Sequence, residues 1–204
     1  MQRSERSLAS VLITHTANTM SRSPMVLLLP LALASCGYNT IQRYDEQAAQ
    51  SKQQIDVQLQ RRADLVPNLV ATVRGYAAHE EQIFTEVARA RTSLLSANAT
   101  GNPEQQAIAN AQLTGALGRL LAIVENYPQL KADQTFLRLQ DELAGTENRI
   151  AVARQDYNSA VNAYNAYIRQ FPQLITARVT GARPRDYFTA PGEAQTAPTV
   201  DFSR

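Results

Sequence analysis

A stripe of apolar positions in the C-terminal half constrains this chain most: Phe136, Leu139, Leu143, Thr146, Ile150, Ala153, Tyr157, Val161, Tyr164, Ile168 and Phe171. Steps of three and four residues over five heptads put every member on one face of an α-helix. A seam that long cannot stand in water, so it needs partner helices. The same steps recur in Val66, Leu69, Val73, Tyr76, Glu80, Ile83, Val87, Ala90 and Leu94, and again in Leu113, Leu117, Leu120, Leu121 and Val124. Between Ile41 and about Arg62 the pattern is weaker. Ile55, Val57 and Leu59 alternate there, but Gln, Lys and Ala dominate and favour helix. Eight Gly and nine Pro in 204 residues are too few for a strand-and-turn protein.

Breakers divide the pattern. Gly101, Asn102 and Pro103 read as a helix stop, an N-cap and an N1 proline. Tyr127-Pro128 and Phe171-Pro172 close two further helices, because a residue before proline is pushed out of the α region. Pro67 either kinks one long helix or lies in the first turn of a new helix capped by Asp64; a break or sharp kink near 62–66 is the favoured reading. The expected helices are 39–62, 65–98, 103–126 and 132–170. Short loops make neighbours antiparallel, so the expected class is all-α, an up-and-down bundle of about four long helices, the first two separate or one kinked helix. The bundle occupies 41–172, and 173–204 is read as a C-terminal tail with little order after about 190.

The single cysteine cannot form an internal disulfide, but its setting is informative. Behind Arg22 lie ten apolar residues, Met25 to Ala34, too few for the roughly 20 that cross a bilayer as a helix. They suit the apolar region of a signal peptide, 1–35, with Met20 the expected start of translation. Leu33, Ala34, Ser35 and Cys36 then form a lipobox, with Cys36 the lipidated mature N-terminus and 36–40 a tether. Several acyl chains at about 0.8 kcal/mol per CH₂ would hold such a chain on the membrane permanently. Gly37, rather than Asp, follows the cysteine and points to the outer membrane before the inner, facing the periplasm.

From Cys36 onward seventeen basic and seventeen acidic residues balance, so the electrostatic excess of a nucleic-acid binder is missing. His79-Glu80-Glu81 lacks the second histidine of a zinc-protease helix, since position 83 is Ile. A di-iron bundle needs two Glu-x-x-His repeats and fails for the same reason, as His79 is the one histidine beyond the signal peptide. No catalytic set, metal site or cofactor is therefore expected. Glu80 stands out as a carboxylate in an apolar seam, expected at its edge with the head group in water. Gly115-Ala116-Leu117-Gly118 reads as close helix packing, and Tyr157 with Tyr164 as core. Asn98-Ala99-Thr100 matches a glycosylation sequon, of little meaning beside a bacterial lipobox. The densest polar patch, Arg61, Arg62, Asp64 and Asn68, can cap and pair within the bundle or dock a partner or lipid head groups.

Several runs carry a family likeness: Arg61–Val70 (RRADLVPNLV), Gly75–Glu80 (GYAAHE), Glu125–Ala132 (ENYPQLKA) and Glu147–Arg154 (ENRIAVAR), with Tyr157-Asn158, Tyr164-Asn165 and Phe171-Pro172. Together they resemble the LemA family over about 38–188. The resemblance implies an antiparallel helical bundle tethered at its N-terminus to a membrane, and no enzymatic activity, catalytic residue or cofactor. Typical members have a longer N-terminal segment that spans the membrane; this chain has a short one ending in a lipobox. The expected function is thus a lipid-anchored, non-catalytic scaffold or adaptor with a protein partner in the bacterial envelope. Two alternatives stand beside it: a catalytic or regulatory subunit using Glu80, Glu125 or Glu147, and a module holding an apolar ligand between helices.

Overall fold

A computed structural model describes the backbone over residues 24–189 and the side chains over 37–189. Within that span lie six helices and no strand: α1 (Pro24–Arg74), α2 (Glu81–Thr100), α3 (Pro103–Val124), α4 (Pro128–Lys131), α5 (Gln134–Tyr167) and α6 (Gln173–Thr180). α1 and α5 run together as the long pair, α2 and α3 form a hairpin packed on α1, and α6 also rests on α1. The α5 seam is buried from Phe136 to Ile168. α1 answers with Ile41, Ala48 and Ile55, one residue per heptad. From Leu59 on it buries residues more densely, with Arg62, Ala63, Val66, Leu69 and Val73 all turned inward. The change of density has a simple cause. The α2–α3 hairpin reaches α1 at Asp56, where Asn98 Nδ2 donates to the Asp56 carbonyl at 3.2 Å, so only the later part of α1 is covered by three helices. This is why the stretch before Arg62 reads so weakly in sequence.

Two helix starts follow their caps. Asn102 Oδ1 accepts from Gln105 N at 3.0 Å with Pro103 at N1, and Asp133 Oδ1 accepts from Thr135 N and Phe136 N at 2.8 and 2.9 Å. Pro128 opens the short α4. Gly101 ends α2 in the left-handed region, at φ 67°, where a side chain would be strained.

Three expectations are corrected. The expected break near 62–66 is absent: α1 passes through Pro67 and ends at Arg74, and the chain turns over 75–80 instead. An interior proline leaves the carbonyl four residues earlier without its donor. Here that carbonyl belongs to buried Ala63, and Arg91 Nε of α2 donates to it at 2.7 Å. A cross-helix bond thus replaces the missing backbone one, and Asp64, no longer a cap, accepts from Gln60 Nε2 at 2.9 Å. Two seam positions, Tyr76 and Phe171, lie outside helices and are exposed, Phe171 at 81%. Gly115 and Gly118 face solvent, with nothing within 4 Å of a Cβ added at Gly118, so they serve no close packing. In the segment 173–204 the described residues, up to 189, form α6 and an extended stretch held on α5. The expectation of little order after about 190 falls on residues outside those described.

α3 is the one described helix long and apolar enough to cross a membrane by length and composition. Nine of its residues are buried in the bundle, Gln106 and Asn110 among them, which accounts for its apolarity as core.

Candidate functional site

The Arg61–Asn68 patch divides by helical geometry. Arg62 points into the bundle at 4% exposure, whereas Arg61, Asp64 and Asn68, at steps of three and four, share the outer face. Arg62 Nη1 donates to Asn110 Oδ1 at 2.7 Å and pairs with Glu147, and Nη2 donates to Thr114 Oγ1 at 3.1 Å. One guanidinium therefore ties α1 to both α3 and α5. Burial lowers its pKa, and the Glu147 carboxylate opposes that shift. Below it along α1 lies a second polar tie, with Gln106 Nε2 donating to Asp56 Oδ1 at 2.7 Å and to Asn98 Oδ1 at 2.9 Å. Lys52 Nζ sits 2.5 Å from the same Asp56 oxygen.

On the outside, Arg61, Asp64 and Asn68 line a shallow groove of about 770 Å³ with Gln53, Asp56, Val57, Gln60, Leu65 and Asn98. It adjoins a more apolar groove of about 590 Å³ between α1 and α2, formed by Val66, Pro67, Val70, Ala71, Phe84 and Ala88 with Arg74 and Arg91. The Arg74 guanidinium lies 4.9 Å from the Phe84 ring centre and 3.4 Å from Glu81 Oε1. Along α1 the groove lining thus changes from polar before Val66 to apolar with cationic groups beyond it. This suits an apolar segment bearing acidic groups.

The carboxylates of interest do not converge. Glu147 is held by Arg62, whose other partners Asn110 and Thr114 lie eleven or more residues before Glu125 on α3, roughly 16 Å at 1.5 Å per residue. Glu125 is exposed and pairs with Lys131. Glu80 precedes α2, half-buried, with no side-chain capping bond. His79 is exposed, and no group of three metal-ligating side chains occurs among the described residues. Tyr157 and Tyr164 are core, and burial raises both phenol pKa values. The side chains of Leu33, Ala34, Ser35 and Cys36 lie outside the described residues.

One set of ties escaped the sequence reading. Asn158 and Asn165, a heptad apart on α5, each clamp the extended segment by two bonds. Asn165 takes Arg185 N and gives to Arg185 O, both at 2.9 Å, and Asn158 does the same with Phe188 at 2.8 and 2.9 Å. Tyr157 Oη donates to the Asp186 carbonyl at 2.8 Å, and Arg185 Nε reaches Asp45 Oδ1 at 2.7 Å. The signal was the Tyr-Asn pair repeated at seven residues; the partner segment has no apolar period by which to be recognised.

The chain is 28% identical over 222 aligned positions to magnetosome proteins MamQ 1 and MamQ 2 of Paramagnetospirillum magneticum, an alignment covering 92% of this chain and 81% of each relative. MamQ of Magnetospirillum gryphiswaldense matches with the same identity and coverage. The sequence pattern of the LemA family matches residues 51–202, which take in the α1–α2 face, the Arg62 tie and the asparagine clamps: the chain belongs to the LemA family.

Proposed function

We propose that this LemA-family chain is a lipid-anchored, non-catalytic helical rod that docks an envelope protein along its α1–α2 face and so acts as scaffold or adaptor. The observation that carries this is the division of the polar patch. Arg62 is committed to internal bonds, while Arg61, Asp64 and Asn68 stand together on the outside beside an apolar groove lined by Arg74 and Arg91. Anchoring is supported by the lipobox sequence at Leu33–Cys36 and accords with relatives that are magnetosome proteins. The carboxylates that an enzyme would use are paired, exposed or apart.

Photo-crosslinking residues placed at Arg61 and Asn68 in living cells should capture one and the same envelope protein. A probe at Val152, exposed on α5, should not, and Asp64→Arg should abolish the capture. Radiolabelled palmitate should enter the chain and be lost in Cys36→Ser. Absence of label removes the anchor; turnover of a hydrolase substrate that disappears in Glu80→Gln removes the non-catalytic part. A second reading, a small amphiphile as occupant, is favoured by the size of the apolar groove, which falls within the range of ligand pockets. Co-purifying lipid displaced by Ala88→Trp would establish it in place of a protein partner.

A further inference from the structure

Ile175 and Val179, one turn apart on α6, are 57% and 82% exposed, and Phe171, two residues before the helix, is 81% exposed. On α6 the opposite side carries Ala177, buried against Ile41, Tyr164 and Ile168. The helix therefore has two apolar faces, and only one is covered. Its position is specific. α6 packs against α1 at buried Gly37, where an added Cβ would lie 3.4 Å from Thr176 Oγ1, in ordinary contact. Gly37 directly follows Cys36. The chain around the bare face is mostly basic: Arg169 to Arg185 holds four arginines, with Asp186 following and Asp45 on the facing part of α1. Arg185 pairs with Asp45, whereas Arg169, Arg178 and Arg183 are exposed and make no ion pair among the described residues. Exposed Tyr38 stands one residue beyond Gly37.

We infer that α6 is a second membrane contact. It lies at the bilayer surface beside the anchor, with Phe171, Ile175 and Val179 entering the headgroup–acyl boundary and Arg169, Arg178 and Arg183 against anionic phospholipid head groups. An apolar face bordered by arginines is the chemistry of an interfacial helix, and a helix this short is held there only when something else keeps it close. This rests on the proposed anchorage at Cys36, which supplies that proximity. The chain is then fixed at two points at one end, and the bundle stands in a set orientation rather than swinging on a tether.

The full lipidated chain, purified from membranes, would be reconstituted in vesicles of phosphatidylethanolamine with a minority of phosphatidylglycerol. An environment-sensitive fluorophore would be attached through Val179→Cys or, as control, Val152→Cys. Flotation reports the anchor and fluorescence reports α6. The label at 179 should emit at shorter wavelength than that at 152 and be quenched by doxyl-bearing lipid. Replacing Arg169, Arg178 and Arg183 with Gln should weaken that quenching. A chain that floats while both labels remain equally water-exposed overturns the inference and leaves the anchor standing. A chain that does not float overturns both. A blue shift that lipid does not quench, and that grows with protein density, assigns the face to a second copy of this chain and overturns the inference also.

Discussion

Removing Arg62 would strip Asn110, Thr114 and Glu147 of their shared donor at once. Arg62→Met should destabilise the bundle by about 2–3 kcal/mol in urea unfolding, below the upper range for a broken buried pair because half-exposed Glu147 can rehydrate. In a Glu147→Gln background the cost should be smaller. Pro67 and Arg91 offer a sharper case, since one creates the orphaned Ala63 carbonyl and the other fills it. Arg91→Gln should cost about 1–3 kcal/mol, the range for an unsatisfied buried group. In Pro67→Ala, where the backbone N–H is restored, the same substitution should cost markedly less; equal costs in a double-mutant cycle would separate the two residues. A third pair is exposed: Tyr76 Oη donates to Asp133 Oδ2 at 3.0 Å. Backbone bonds from Phe136, then the Tyr76 hydroxyl, hold the Asp133 pKa down, and the same bond raises that of Tyr76. The depressed carboxyl favours the folded state above its unfolded pKa, and this is lost as pH falls through the folded value. The raised phenol favours folding below its unfolded pKa, and this is lost as pH rises through the folded one. Asp133→Ala should therefore flatten the stability profile at both its acidic and its alkaline end, whereas Tyr76→Phe should flatten the alkaline end and only weaken the acidic one.

At the scale of elements, solvent-facing glycines inside a helix are a cost without a return in packing. Gly118→Ala should stabilise the chain by about 0.5–1 kcal/mol, read as a raised urea midpoint, because the added methyl meets nothing. Asn102→Ala should cost about 1 kcal/mol through the lost bond to Gln105 N. What could be read from sequence divides along physical lines. The α5 seam, the cap at Asn102 and the helix end before Pro128 were legible because spacing and local chemistry decide them. The end of α1 was not, since Pro67 is a breaker unless a distant side chain answers its orphaned carbonyl, and Arg91 lies 24 residues away on another helix. Nor was α6, whose eight residues are too short to show a period. The candidate docking patch was legible as a cluster, but its division into one inward and three outward side chains required the register of α1.

Over the whole molecule, the long pair α1 and α5 gives the chain its form, and the hairpin α2–α3 flanks only the far part of it. Balanced charge and an all-helical pattern sufficed to anticipate a bundle; the clamped extended segment, fastened by Asn158 and Asn165, was invisible because backbone recognition leaves no mark on the recognised residues. α1 also runs without interruption from Pro24 to Arg74. At about 1.5 Å per residue, Asp64 stands roughly 40 Å and Arg74 roughly 55 Å along that helix from Gly37. The height at which a partner would be met is thus counted out in residues, as on a surveyor's staff. Adding one heptad to both α1 and α5 between the proposed anchor and the groove should lift the docking face by about 10 Å while turning it only slightly; adding two residues would swing it by roughly 160° round the helix axis. A partner held at a fixed height from the proposed anchor would feel the first change as distance and the second as azimuth.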